Sequence, residues 1–190
     1  MISIVTAVMM FSTSGIAAEC QGVTYPEKAE VGGTELLLNG LGLREATVFK
    51  VDVYVAALYV IKRSSSGETI LNSPEPKKLV LKFVRDVSKD EISNAWSEGF
   101  EKTAKENFGK LKERIAKLNS WMVELTSGST LTFNYESKSD RNSSIEVNVN
   151  GKRQGGISGN DFAKAFLAIW LGPDPPNDGL KSGLLGGSCD

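Results

Sequence analysis

Histidine is absent from this chain, and that single absence excludes more chemistry than any other feature of its composition. Imidazole general bases, histidine-dependent triads and the commonest nitrogen ligands for metals all go with it. Cysteine is scarce: two residues are too few for a thiolate metal site without histidine. Charge of one sign is also lacking. With 22 basic and 23 acidic side chains, the chain offers no electrostatic footprint for nucleic acid or an anionic membrane surface. Internal repeats and low-complexity tracts are missing as well. What is present, 190 residues of which 41% are hydrophobic and 24% charged, suits one domain with a sizeable core. No cofactor and no metal is expected.

A largely apolar stretch, Ile2 to Phe11, stands at the start, inside MISIVTAVMMFSTSGIAA. Followed by small and polar residues, it predicts a secretory signal over residues 1–18, cut after Ala18, and a domain over 19–190. An N-terminal membrane anchor is the competing reading, because no Lys or Arg precedes the run. The run is shorter than the ~20 residues a bilayer requires. A periplasmic or secreted location without stable membrane insertion is therefore the expectation. Export gives the cysteines a meaning: Cys20 lies just past the cut and Cys189 is penultimate, so one disulfide joining the ends is the simplest reading. Two free or intermolecular thiols are the alternative.

Along the mature chain, residues 22–31 read as an entry segment broken by Pro26, and residues 34–38 as a short strand. Two β-rich runs follow, Ala46 to Val51 and Val53 to Ile61, and residues 62–76 read as an exposed polar loop. Residues 78–87 (KLVLKFVRDV) alternate as a largely buried strand does. Ser88-Lys89-Asp90-Glu91 has the form of a capping box opening a helix with Ile92, Ala95, Trp96, Gly99, Phe100 and Thr103 on one stripe. A second helix carries Leu111, Ile115 and Leu118, with Met122 near its end. The period then returns to two, predicting strands at 129–137, 144–150 and 152–157, with Asn150-Gly151 as a hairpin turn. A closing helix over 161–171 turns Phe162, Ala165, Phe166, Ile169 and Trp170 inward, and a short helix covers 177–185.

The stretch NGLGLREATVFKVDVYVAALYV, from Asn39, organises the rest. It sets one arginine, Arg44, among apolar strands. An unpaired buried guanidinium is costly, so Arg44 has to reach water, pair with an acid such as Glu45 or Asp52, or receive an anionic ligand. An arginine fork suits a carboxylate, and the Tyr54 hydroxyl could add a directional hydrogen bond. Tyr54 reads equally well as a core residue.

The segments GLGLREATVFKVDVYVAALYV and FAKAFLAIWLGPDPPNDGLKSGLLG resemble the chalcone isomerase fold family, and within it the bacterial, exported branch. The resemblance covers nearly the whole mature chain. It implies a single α+β domain, a large antiparallel sheet packed on one face by helices, with a ligand cleft between. In the plant isomerases an arginine matching Arg44 holds the ligand's oxyanion. In the related fatty-acid-binding branch a tyrosine in a VYA-like stretch joins that arginine at a carboxylate, and Tyr54 in Val53-Tyr54-Val55-Ala56 matches it. Isomerases place a threonine at Tyr54, and a tyrosine and an asparagine near the start of the central helix. Residues 88–98 contain no tyrosine, and Asn94 is their only asparagine. The resemblance thus implies a non-catalytic protein with a small apolar acid as partner. An isomerase or intramolecular lyase using Arg44 on a chalcone-like substrate, and a non-catalytic envelope scaffold, are the alternatives.

Overall fold

Glycine spacing in the arginine stretch is clearance for a helix. In a computed structural model that describes residues 17–46, 49–137 and 143–189, that stretch forms most of β4 (Thr34–Ala46) and β5 (Val51–Val60), and a short helix, α5 (Asp178–Leu184), crosses β4 at Gly40 and Gly42. A Cβ on Gly40 would strike the carbonyl of Gly183, and one on Gly42 the carbonyl of Leu180. No other residue permits so close a backbone approach.

The remaining elements are β1 (Ala17–Cys20), β2 (Val23–Pro26), β3 (Lys28–Val31), α1 (Gly67–Asn72), β6 (Lys77–Phe83), α2 (Lys89–Ala104), α3 (Phe108–Ser120), β7 (Thr130–Ser137), β8 (Ser143–Val149), β9 (Lys152–Ser158) and α4 (Asn160–Leu171). Strands β3 to β9 form one antiparallel sheet in sequence order, so each strand pairs with its neighbour in the chain. The sheet curls: Lys78 Nζ on β6 reaches the Glu30 carbonyl on β3 at 3.1 Å, two strands beyond its own neighbour. This is the α+β architecture expected from the resemblance, with helices on one sheet face.

That face carries the main core. Phe100 and Trp96 of α2 pack on Phe162, Phe166 and Trp170 of α4, with ring centroids 4.9 to 5.5 Å apart, over Phe133 and Leu81 of the sheet. Trp170 and Phe166 are fully buried, as the helical stripe predicted. The opposite face of β4 and β5 carries a smaller core, where Leu36, Leu41, Leu43 and Val55 are covered from the β1–β2 hairpin side by Val23 and Tyr25. Cys20 belongs to this second core and is bonded to Cys189, with Cα atoms 5.9 Å apart, as expected.

Local chemistry accounts for the boundaries. The Ser88 box is complete: Ser88 Oγ accepts from the Glu91 amide at 3.2 Å, and Glu91 Oε2 from the Ser88 amide at 2.8 Å. Asn150 and Gly151 both have positive φ, 49° and 76°, as the tight β8–β9 hairpin demands. Four expectations need correction, the first being the strand over 78–87, since β6 ends at Phe83. Of the run Ala46 to Val51, Ala46 ends β4 and Val51 opens β5, paired with each other, while Phe49 and Lys50 lie in a turn between them, with Phe49 85% exposed and Lys50 at φ 51°. The loop over 62–76 contains α1, capped by Ser66 Oγ on the Thr69 amide at 3.2 Å. The segment 34–38 is the start of one strand that runs to Ala46, past an irregularity between Leu38 and Gly40. Of the expected signal, residues 1–16 lie outside the described residues. Ala17 and Ala18 pair with Pro26 and Tyr25 in β1, so the expected cut after Ala18 falls within that strand.

Candidate functional site

Arg44 and Tyr54 stand directly opposite each other across β4 and β5, on the helix-covered face. Both line a cavity of about 190 Å³ between the sheet and α2, together with Arg85, Ile92, Trp96 and Ile169. The two residues singled out from the sequence are therefore brought together.

Arg44 is half-buried, and its guanidinium is held by backbone carbonyls. Nη1 donates to the Glu45 carbonyl and, at 3.2 Å, to that of Pro176. Asn177 anchors the same corner, donating from Nδ2 to the Leu43 carbonyl at 3.0 Å and accepting from the Glu45 amide at 3.3 Å. Among the described residues no carboxylate pairs with Arg44. Glu45 turns instead to Lys50 Nζ at 3.8 Å, and Asp52 forms no ion pair with a described residue. Carbonyls orient the fork without cancelling its charge, which leaves the guanidinium attractive to an anion.

Tyr54 is 5% exposed. Its hydroxyl oxygen accepts from Trp170 Nε1 at 3.0 Å, which occupies a lone pair and leaves the O–H as a donor. Burial pushes the phenol up to about 12, while the indole bond and the Arg44 charge act the other way. The side chain thus remains a neutral donor through physiological pH.

Two further donors join them. Among the described residues, the indole N–H of Trp96, a residue 2% exposed, has no partner, and neither has the buried Nε of Arg85. Arg85 is otherwise occupied at the rim, donating from Nη1 to the Asp86 carbonyl at 3.2 Å and from Nη2 to Glu91 at 3.5 Å. Unpartnered buried donors are uncommon in folded proteins, so their presence among the residues lining one cavity is informative. Sequence pattern signals neither role. Trp96 lies on an apolar stripe and is indeed core on its other sides; Arg85 ends an apolar run, a position that marks only a strand terminus. Asn94 is exposed on α2 and does not line the cavity.

The arrangement is rich in hydrogen-bond donors, and its one carboxylate, Glu91 at the rim, is held below the usual carboxylate range chiefly by the Ser88 amide. It is suited to gripping an acceptor group, with an aromatic floor beneath. No helix among the described residues is long and apolar enough to cross a membrane.

Comparison with known proteins places this geometry in context. A family model described as chalcone isomerase-like matches residues 17–186. No curated protein sequence matches. Among solved structures, the crystal structure of a fatty-acid binding protein of Arabidopsis thaliana superposes with a TM-score of 0.72 at 14% identity, over 90% of this chain and 96% of that one. At that identity the likeness speaks for the fold.

Proposed function

The chain belongs to the chalcone isomerase-like family, and from that premise we propose that it is an exported, non-catalytic binding protein for a small apolar carboxylic acid such as a fatty acid. Arg44 and Tyr54 hold the carboxylate, with Trp96 as a third donor, and the chain of the acid lies against Ile92 and Ile169. The observation that carries this reading is the guanidinium of Arg44, half-buried beside a cavity and a phenol, with no described carboxylate to neutralise it. A ligand carboxylate would complete it with charge-assisted hydrogen bonds, the stronger kind.

Binding fits these groups better than turnover. General acid–base catalysis works best near the operating pH, and burial moves Tyr54 away from it, to about 12. The structural neighbour titled a fatty-acid binding protein supports the same ligand class. At about 190 Å³ the cavity is smaller than the ~300–1,000 Å³ of drug-sized sites, so it encloses the head and first carbons of an acid. A longer chain requires α2 to lift from the sheet.

The test is a titration of delipidated protein with dodecanoate and, in parallel, dodecanol. Saturable binding with at least tenfold preference for the acid is expected. Equal affinity for both, or no saturable binding of dodecanoate, would overturn the proposal.

A further inference from the structure

Lys77 and Tyr135 face each other directly across β6 and β7, at the end of β6 remote from Arg44. Both lie on the helix-covered face, Lys77 continuing the row of Leu79, Leu81 and Phe83, and Tyr135 that of Leu131 and Phe133. Each is only 6% exposed. They line a cavity of about 280 Å³ between the sheet, the end of α1 and α4, with Leu71, Ala163 and Leu167 as apolar wall.

Neither side chain has its polar groups fully satisfied. Lys77 Nζ donates to the Ser73 carbonyl at 2.7 Å and to the Glu75 carbonyl at 2.8 Å, which leaves one N–H of three. No described carboxylate pairs with it; that of Glu75 accepts from Ser73 Oγ at 3.3 Å. The Tyr135 hydroxyl has no hydrogen-bond partner among the described residues. Nearby charges do not serve in their place. Glu136 borders the cavity, but alternation along β7 turns its side chain from the face of Tyr135, with Oε1 beside Gly32, and Lys164 is tied to Asn72 Oδ1 at 2.5 Å. A buried cation without an acid and a buried hydroxyl without a partner are each unfavourable, and here they are cross-strand neighbours on one cavity wall.

We infer that Lys77 and Tyr135 form a second ligand site, which takes a small carboxylate with a short apolar chain. One carboxylate oxygen meets the remaining Lys77 N–H, the other accepts from Tyr135 O–H, and the chain rests on Leu71, Ala163 and Leu167. The pattern repeats that of Arg44 and Tyr54: a cation and a phenol in register on adjacent strands of the same face. The two sites are about 20 Å apart, the length of β6 from Phe83, opposite Tyr54, to Lys77. Burial pushes Lys77 down to about 8, against the opposing influence of Glu75, as suits an ammonium lacking a close anion. This site does not depend on the reading of Arg44.

The probe is hexanoate labelled with ¹³C at its carboxyl carbon, followed by its bound resonance in the full chain carrying Arg44→Ala, which removes the first site from the measurement. One bound resonance is expected there. Tyr135→Phe, which deletes a hydroxyl with no partner to lose, should weaken it at least fivefold while leaving the unfolding midpoint unchanged. Lys77→Met should abolish it. No bound resonance in the Arg44→Ala chain, or one indifferent to Tyr135→Phe, would overturn the inference. A resonance of the unsubstituted chain that vanishes with Arg44→Ala would do so while leaving the first site standing.

Discussion

Trp170 donates its indole N–H to the hydroxyl oxygen of Tyr54 across 3.0 Å, so the closing helix α4 fixes the orientation of a phenol on β5 that lies 116 residues earlier in the chain. Core and site share this bond. The indole is fully buried and belongs to the aromatic cluster, while the phenol it steadies lines the cavity.

Trp170→Ala should destabilise the fold by about 3–5 kcal/mol, the usual range for a large aromatic truncated in a packed core. Trp170→Phe should cost less stability and still weaken dodecanoate binding, because Tyr54 loses the donor that orients it. Urea unfolding and titration of the same two variants check both halves.

Gly42→Ala should destabilise by roughly 1–3 kcal/mol, since its Cβ would meet the Leu180 carbonyl and force α5 off β4. Because α5 follows directly on Pro176 and Asn177, which hold the Arg44 corner, acid affinity should fall as well. Unfolding midpoints and binding constants read the two effects separately.

Most of the fold and half of the site are legible in the order of the residues. Period-two and period-3.6 patterns mark β7 to β9, α2 and α4, and the Ser88 box marks where α2 begins. Arg44 and Tyr54 stand out because a charge and a phenol are conspicuous in a strand pair. The helix α1 does not, because six residues within a serine-rich run carry too little periodicity to separate helix from loop. The run Ala46 to Val51 misleads in the opposite sense: an apolar Phe49 favours a strand where Phe49 and Lys50 turn, and Val51 belongs to β5 instead. Lys77 escapes notice because a lysine at a strand's first residue ordinarily points to water, and only the register that sets it against Tyr135 shows otherwise.

Stability should rise between pH 7.5 and 9.5. Burial holds Lys77 at about 8 in the folded protein against 10.5 in the unfolded chain, so over that window the unfolded chain binds more protons and alkalinity favours folding. Lys78, also lowered by burial, acts with the same sign. The gain from Lys77 should be roughly 1–2 kcal/mol, lost in Lys77→Met. Above about pH 10 the trend should reverse, because Tyr54 stays protonated to about 12 when folded but ionises near 10 when unfolded. Urea unfolding across this range checks the sign.

Both cysteines should resist alkylation in protein denatured without reductant, since Cys20 and Cys189 are bonded to each other. Reduction should lower stability by up to about 4–5 kcal/mol, as expected for opening a loop closed over 169 residues. Mass spectrometry after alkylation counts the free thiols, and two would contradict the pairing.

The most direct measurement is a double-mutant cycle on dodecanoate affinity with Arg44→Ala, Tyr54→Phe and the pair, each accompanied by its unfolding midpoint. If the two residues share one carboxylate, Arg44→Ala should lose about 2–4 kcal/mol and Tyr54→Phe about 0.5–1.5, and the double variant should lose less than their sum. Affinity of the folded fraction unchanged by Arg44→Ala, with only the unfolding midpoint lowered, would contradict the account and leave Arg44 a structural residue.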